Sequence, residues 1–164
     1  MRTGPADDVA ILIRGSAADA ASTVRGVKAT AGSIPHAIYL VLDSTTPAEA
    51  LNRAAAVRTE RLLLFLDAGV TPVGTNWLTE MTAAVSAPDV AAAIATWADD
   101  RGPVAGLLVR REAFDLLGGF DADRHPTAGY TEDLLARFLL HGLECVAPAG
   151  AVFLAGSPQL RRAG

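Results

Sequence analysis

Three short runs, VAILI (9–13), AIYLVL (37–42) and LLLFL (62–66), are apolar almost throughout instead of at every second position. A strand with one wet face alternates polar and apolar residues, whereas a strand covered on both faces has no reason to. Helix signals lie between the runs. Ser16 with Asp19 three residues on predicts a helix running to about Val27. Thr46, Pro47 and Glu49 stand in the order of N-cap, first helical position and capping box. Strands alternating with helices predict an α/β fold with a mostly parallel sheet and helices on both faces. Further along, a helix is expected from about Thr75, with Trp77, Leu78, Met81 and Val85 on one face. VAAAIAT (90–96) and GPVAGLLV (102–109) read as strands, and RREAFDLL as a short helix closed by Gly118-Gly119. TEDLLARFLLHG reads as a helix capped by Thr131, buried through Leu134, Leu135, Phe138 and Leu139 and ended by Gly142. Two short strands and a basic tail follow. No linker or repeat interrupts residues 1–164, so one compact domain is expected.

Composition narrows the function classes. Hydrophobic residues are 51% of the chain and mean hydropathy is +0.30, enough for one buried core. Net charge is −4, which argues against a nucleic-acid partner, because phosphates call for a basic face. The single cysteine, Cys145, reads as a small buried thiol, and no Cys/His spacing suits zinc. The first residues carry acids where a signal peptide would be apolar, and no run approaches the ~20 residues that span a membrane. The expectation is a cytoplasmic protein without a membrane span.

Ligands of open parallel sheets bind beyond the carboxyl ends of the strands. Asp43 and Asp67 close the second and third apolar runs, either as ligand contacts or as turn-forming and helix-capping acids. Glu132-Asp133 opens the last helix. Acids there are favoured by the helix dipole by about 0.3–1 kcal/mol each, without any catalysis. The same carboxylates, after the polar loop 120–130, are also placed to accept a proton from a hydroxyl. Of the three histidines, His125 in that loop is the one placed to reach a substrate; His36 and His141 flank a strand and a helix end.

The stretch LLVRREAFDLLGGFDADRHPTAGYTEDLLARFLLHG resembles the acceptor half of a family-2 glycosyltransferase of the GT-A (Rossmann-like) fold. Arg110-Arg111, Phe114, Gly118-Gly119-Phe120-Asp121, Glu132-Asp133, Arg137 and Gly142 all match. Upstream, LVLDSTT, Asn52-Arg53 and LLLFLDAG with Trp77-Leu78 are similar to the donor half, and the resemblance covers about residues 9–155. It implies inverting transfer of a sugar from a nucleotide-diphosphate sugar (UDP-, GDP- or TDP-linked) to an acceptor hydroxyl. In that scheme Asp133 is the general base and Glu132 supports it or orients the acceptor. Asp43 and Asn52 contact the nucleotide, and Asp67 faces the diphosphate and a Mg or Mn ion. Arg110, Asp121 and His125 are the acceptor-side residues. Gln159-Leu160-Arg161-Arg162 resembles a polysaccharide-synthase motif, which implies diphosphate contacts for Arg161 and Arg162; the residues by themselves read first as a frayed basic terminus.

The chain departs from that pattern in the middle. Where the family has acid-x-acid, this chain has Asp67-Ala68-Gly69, one carboxylate short for a hard divalent cation. Only 24 residues separate Asp43 from Asp67, short of a full nucleotide-binding segment. A second reading therefore stands beside the first: a catalytically inactive nucleotide- or glycan-binding module or partner subunit. A homodimer would be one way to complete the pocket.

Overall fold

A computed structural model describes residues 8–42 and 45–155; Asp43, Arg161 and Arg162 lie outside the described residues. The elements run β1 (Val9–Arg14), α1 (Ala17–Thr30), β2 (His36–Val41), α2 (Pro47–Ala56), β3 (Leu62–Asp67), β4 (Val70–Val73) and α3 (Trp77–Ala84). They continue with β5 (Val90–Trp97), β6 (Gly106–Arg110), α4 (Arg111–Leu116), α5 (Tyr130–Leu140), β7 (Glu144–Val146) and β8 (Val152–Ala155). They form one eight-stranded sheet in the order β2-β1-β3-β6-β5-β8-β4, with β7 also on β5.

Two of the three apolar runs become strands buried on both faces; the middle run does not, because β2 ends the strand order among the described residues and is only part-buried, with Leu40 48% exposed. In β1, Val9, Ile11 and Ile13 enter one core while Ala10 and Leu12 enter the other. In β3, Leu62, Leu64 and Leu66 divide from Leu63 and Phe65 in the same way. Residues of α1 and α3, Trp77 and Met81 among them, cover the first face. Residues of α2, α4 and α5, including Leu51, Phe114 and Phe138, cover the second.

The sheet is mixed: β1 pairs parallel with β2 and β3, whereas β6 runs antiparallel between β3 and β5. Strand β5 then pairs parallel with β7 and β8, and β4 closes the edge antiparallel to β8. Ser16 caps α1, accepting from the Asp19 N–H at 3.1 Å. The capping box expected on α2 does not form, because Thr46 makes no side-chain cap and Glu49 pairs instead with Arg53 at 2.5 Å. Helix α3 begins at Trp77, two residues later than expected.

Leu64 is fully buried, with Ile11 beside it in β1 and Leu108 beside it in β6. Leu64→Ala is expected to lower stability by about 2–5 kcal/mol. Urea unfolding followed by the fluorescence of the fully buried Trp77 measures this; a loss below about 1 kcal/mol would contradict close packing on that face.

Candidate active site

Register decides what meets at the strand ends. Arg14, the last residue of β1, lies opposite Val41 on one side and Asp67 on the other. Neighbouring strands are about 4.8 Å apart, so a long side chain on one reaches its neighbour easily. Arg14 Nε and Nη2 lie 3.2 and 3.0 Å from Asp67 Oδ1. The carboxylate stays open, with Asp67 62% exposed against 24% for Arg14.

The chain then turns at once into β4, and the turn explains the glycine. Gly69 has φ +93°, a left-handed conformation that glycine adopts freely and an L-residue adopts under strain. Its N–H donates to Oγ1 of the buried Thr23 at 2.8 Å, pinning the turn to α1.

Tyr130 and Thr131, at the start of α5, complete a recess of about 70 Å³ with Arg14 and Asp67. Leu51, Phe65 and Phe120 form its apolar floor. Whole-ligand pockets run to about 300–1,000 Å³, so a long ligand would lie over the rim with one group in the recess. Burial pushes the Tyr130 phenol above its ordinary pKa; the Arg14 charge opposes that shift, and the charges of Asp67 and Glu132 add to it.

The cap of α5 is Gly129, at φ +80°, not Thr131. The His125 ring lies 3.3 Å from where a Cβ on Gly129 would stand, so packing and backbone both call for glycine. Asp133 sits one turn in and is 19% exposed. Its Oδ2 accepts from Arg137 Nε at 2.8 Å, and its Oδ1 is 3.6 Å from His125 Nε2. Arg137 also donates to the carbonyls of Leu117 and Gly119, at 3.0 and 2.8 Å. Glu132 is exposed. Asp121 holds the loop, its Oδ1 accepting from the Arg124 N–H and its carbonyl from the His125 N–H.

Two expected site residues are employed elsewhere. The Asn52 amide is turned onto the Phe120 backbone, accepting its N–H at 2.9 Å and donating to its carbonyl at 2.8 Å. Asn52 therefore positions the Gly-Gly-Phe-Asp turn, with one amide N–H and its oxygen engaged there. Arg110 is at the wrong end of the sheet for an acceptor, because antiparallel β6 places it opposite Leu62, at the start of β3. There it lines a cleft of about 610 Å³. That cleft is balanced in charge: Arg61, Arg110 and Arg111 face Asp8, Glu112 and Asp115 at 3.7, 3.4 and 4.0 Å. The larger cavity thus lies at the opposite end of β3 from Asp67.

A divalent metal does not fit the donors present. Asp67 Oδ1 is taken by Arg14, Gly69 brings no carboxylate, and no group of three His, Cys, Asp or Glu gathers among the described residues. Arg14 was absent from the sequence-based set; its signal was a charge ending an apolar strand, legible only once the β1–β3 pairing is known.

No family model matches the chain, and no curated protein matches it in sequence. Solved structures do match. A mannosyltransferase from Pyrobaculum calidifontis, in complex with GDP-Man and Mn²⁺, superposes with TM-score 0.77 at 14% identity. The match covers 93% of this chain and 57% of that one, so this chain spans little over half its length. A Drosophila β1,4-galactosyltransferase 7 bound to manganese, UDP-Gal and xylobiose gives TM-score 0.74 at 16% identity, over 95% and 73% of the two chains. Glucosyl-3-phosphoglycerate synthase from Mycobacterium tuberculosis, with Mn²⁺, UDP and phosphoglyceric acid, gives 0.69 at 11%, over 96% and 74%. The fold is GT-A. Within this GT-A domain, no helix among the described residues is long and apolar enough to cross a membrane. The Cys145 thiol is partly buried, and that burial raises its pKa.

Asn52→Ala would strip both partners from the Phe120 backbone and is expected to cost about 1–3 kcal/mol in urea unfolding. A loss within measurement error would mean the turn holds itself. The raised Tyr130 pKa sets a second expectation. The native state favours the neutral phenol, so this stabilisation is complete below the ordinary value of 10.0 and is lost as pH rises through the higher folded value. The fall in urea midpoint between pH 8 and pH 11 (roughly either side of the usual tyrosine range) should shrink in Tyr130→Phe. Tyr39→Phe should shrink the fall as well, since the Glu60 hydrogen bond raises Tyr39 in the same direction. An unchanged fall in Tyr130→Phe would count against a buried, neutral Tyr130.

Proposed function

We propose that this GT-A domain is a glycosyltransferase of the family-2 type, moving a sugar from a nucleotide-diphosphate sugar to an acceptor hydroxyl with inversion. One observation carries the reading: Arg14 and Asp67 at the strand ends and Tyr130 and Thr131 at the start of α5, far apart in the chain, line one recess. Strand end and helix start thus meet at one place. The donor would lie across the ends of β1 and β3 with its diphosphate toward the recess. Asp133 would take the proton of the acceptor hydroxyl as its oxygen attacks the anomeric carbon. The nucleoside diphosphate would leave from the opposite face. Arg137 holds Asp133 in one orientation, which suits a base that must meet a hydroxyl at hydrogen-bond distance. Glu132, exposed beside it, would orient the acceptor, with His125 and Asp121 in the flanking loop.

The same ion pair favours a second reading, in which nucleotide binds and no sugar moves. Arg137 holds Asp133 Oδ2 and His125 stands 3.6 Å from Oδ1, so both oxygens already have a basic neighbour, as in a carboxylate that only fixes the loop. Incubation with UDP-, GDP- and TDP-sugars, watched for nucleotide release, separates the two. Transfer is expected, and Asp133→Asn should slow it by about 10²–10⁴-fold, the usual worth of a general base. Nucleotide binding without release would favour the second reading. An unchanged rate in Asp133→Asn would remove Asp133 as base.

A further inference from the structure

The Arg14–Asp67 pair stands where an acid-x-acid metal site would be. We infer that Arg14 is a built-in cation, meeting the donor diphosphate in the place of a divalent metal. This rests on the glycosyltransferase reading. Three observations carry it. The parallel register sets Arg14 beside Asp67 at the strand ends, with Nε and Nη2 both on Oδ1. Both residues line the recess. The second acid is replaced by a glycine whose left-handed φ of +93° belongs to the turn itself.

A carboxylate already paired with a guanidinium is a poor ligand for a second cation, because the two positive charges repel at close range. The guanidinium in turn suits phosphate. It stays charged at any working pH and carries five donors in a plane that matches phosphate oxygens. In the transfer, the bond between the anomeric carbon and the diphosphate oxygen breaks as the acceptor oxygen bonds to that carbon. The acceptor proton goes to Asp133, and the electron pair of the broken bond stays on the diphosphate. Arg14, beside Asp67 at the strand ends, faces that growing charge. Such preset electrostatic stabilisation is usually the largest catalytic contribution.

Calorimetric titration with UDP, GDP and TDP tests this in two buffers, one with EDTA and one with Mn²⁺. For the nucleotide that binds, the affinities should agree within about twofold, since no metal is recruited. Arg14→Gln should weaken binding by roughly tenfold or more, the worth of a lost charge-assisted contact, with no rescue by Mn²⁺. Arg14→Lys should keep part of the affinity, and Asp67→Asn should bind in EDTA at least as well as the parent. Thermal unfolding of each variant shows whether it is folded before it is titrated. Binding that appears only with Mn²⁺ and vanishes in Asp67→Asn would make Asp67 a metal ligand and overturn the inference alone. No binding of any of the three nucleotides in either buffer would overturn the glycosyltransferase reading and this inference together.

Discussion

The central strand, β3, must be covered on both faces, and much else follows from that demand. Leu62, Leu64 and Leu66 on one side and Leu63 and Phe65 on the other leave no wet face. Burying such a strand on both sides requires helices above and below, and strands on both edges to satisfy its backbone. The parallel β1 and antiparallel β6 supply those edges. Two layers of helix supply the cover. The end of the strand is then the first place where a polar side chain is tolerated. That is why Asp67 appears there, 62% exposed after five buried residues.

The floor of the site is built by the same economy. Phe65 from β3 meets Phe114 and Phe120 at ring distances of 5.5 and 4.9 Å, and Phe120 meets Tyr130 at 5.1 Å. This chain of aromatic rings joins the strand to the helix that carries Glu132 and Asp133. Asn52 and Arg137 then fix the backbone of the intervening turn from two sides. Gly119, at φ +78°, fits between them because a Cβ there would stand 2.7 Å from Asn52 Oδ1. The Gly119-Phe120 backbone is thus fixed by close packing and by hydrogen bonds from both sides.

Much of this was legible in the sequence, in proportion to how local each signal was. The apolar runs, as strands, and the Ser16 cap depend on neighbours in the chain and were readable, whereas the cap of α5, expected at Thr131, is Gly129. Strand β4 was not, because Val70-Thr71-Pro72-Val73 is short and contains a proline. Proline is admissible there because, among the described residues, β4 ends the strand order and pairs only with β8. The placement of Arg110 failed for the opposite reason: its strand was evident, but the direction of that strand was set by partners far away in the chain. Asn52 was singled out by its residue type, while its role depends on Phe120, 68 positions on. Arg14 went unread because nothing local distinguishes an arginine after VAILI from any other strand end.

Asp67-Ala68-Gly69 gains its meaning from these distant partners. Taken alone, the missing second acid looks like a loss of function. With Arg14 in register, the charge at the strand ends is set by a cation and an anion side by side, at near-neutral sum. A diphosphate approaching that pair meets attraction from Arg14 and repulsion from Asp67, so orientation decides the outcome. Each charge-assisted hydrogen bond from the guanidinium to phosphate is worth about 1.5–3 kcal/mol, so an approach on the Arg14 side favours the ligand. The loss of an acid at position 69 and the presence of a base at position 14 are then two halves of one electrostatic arrangement.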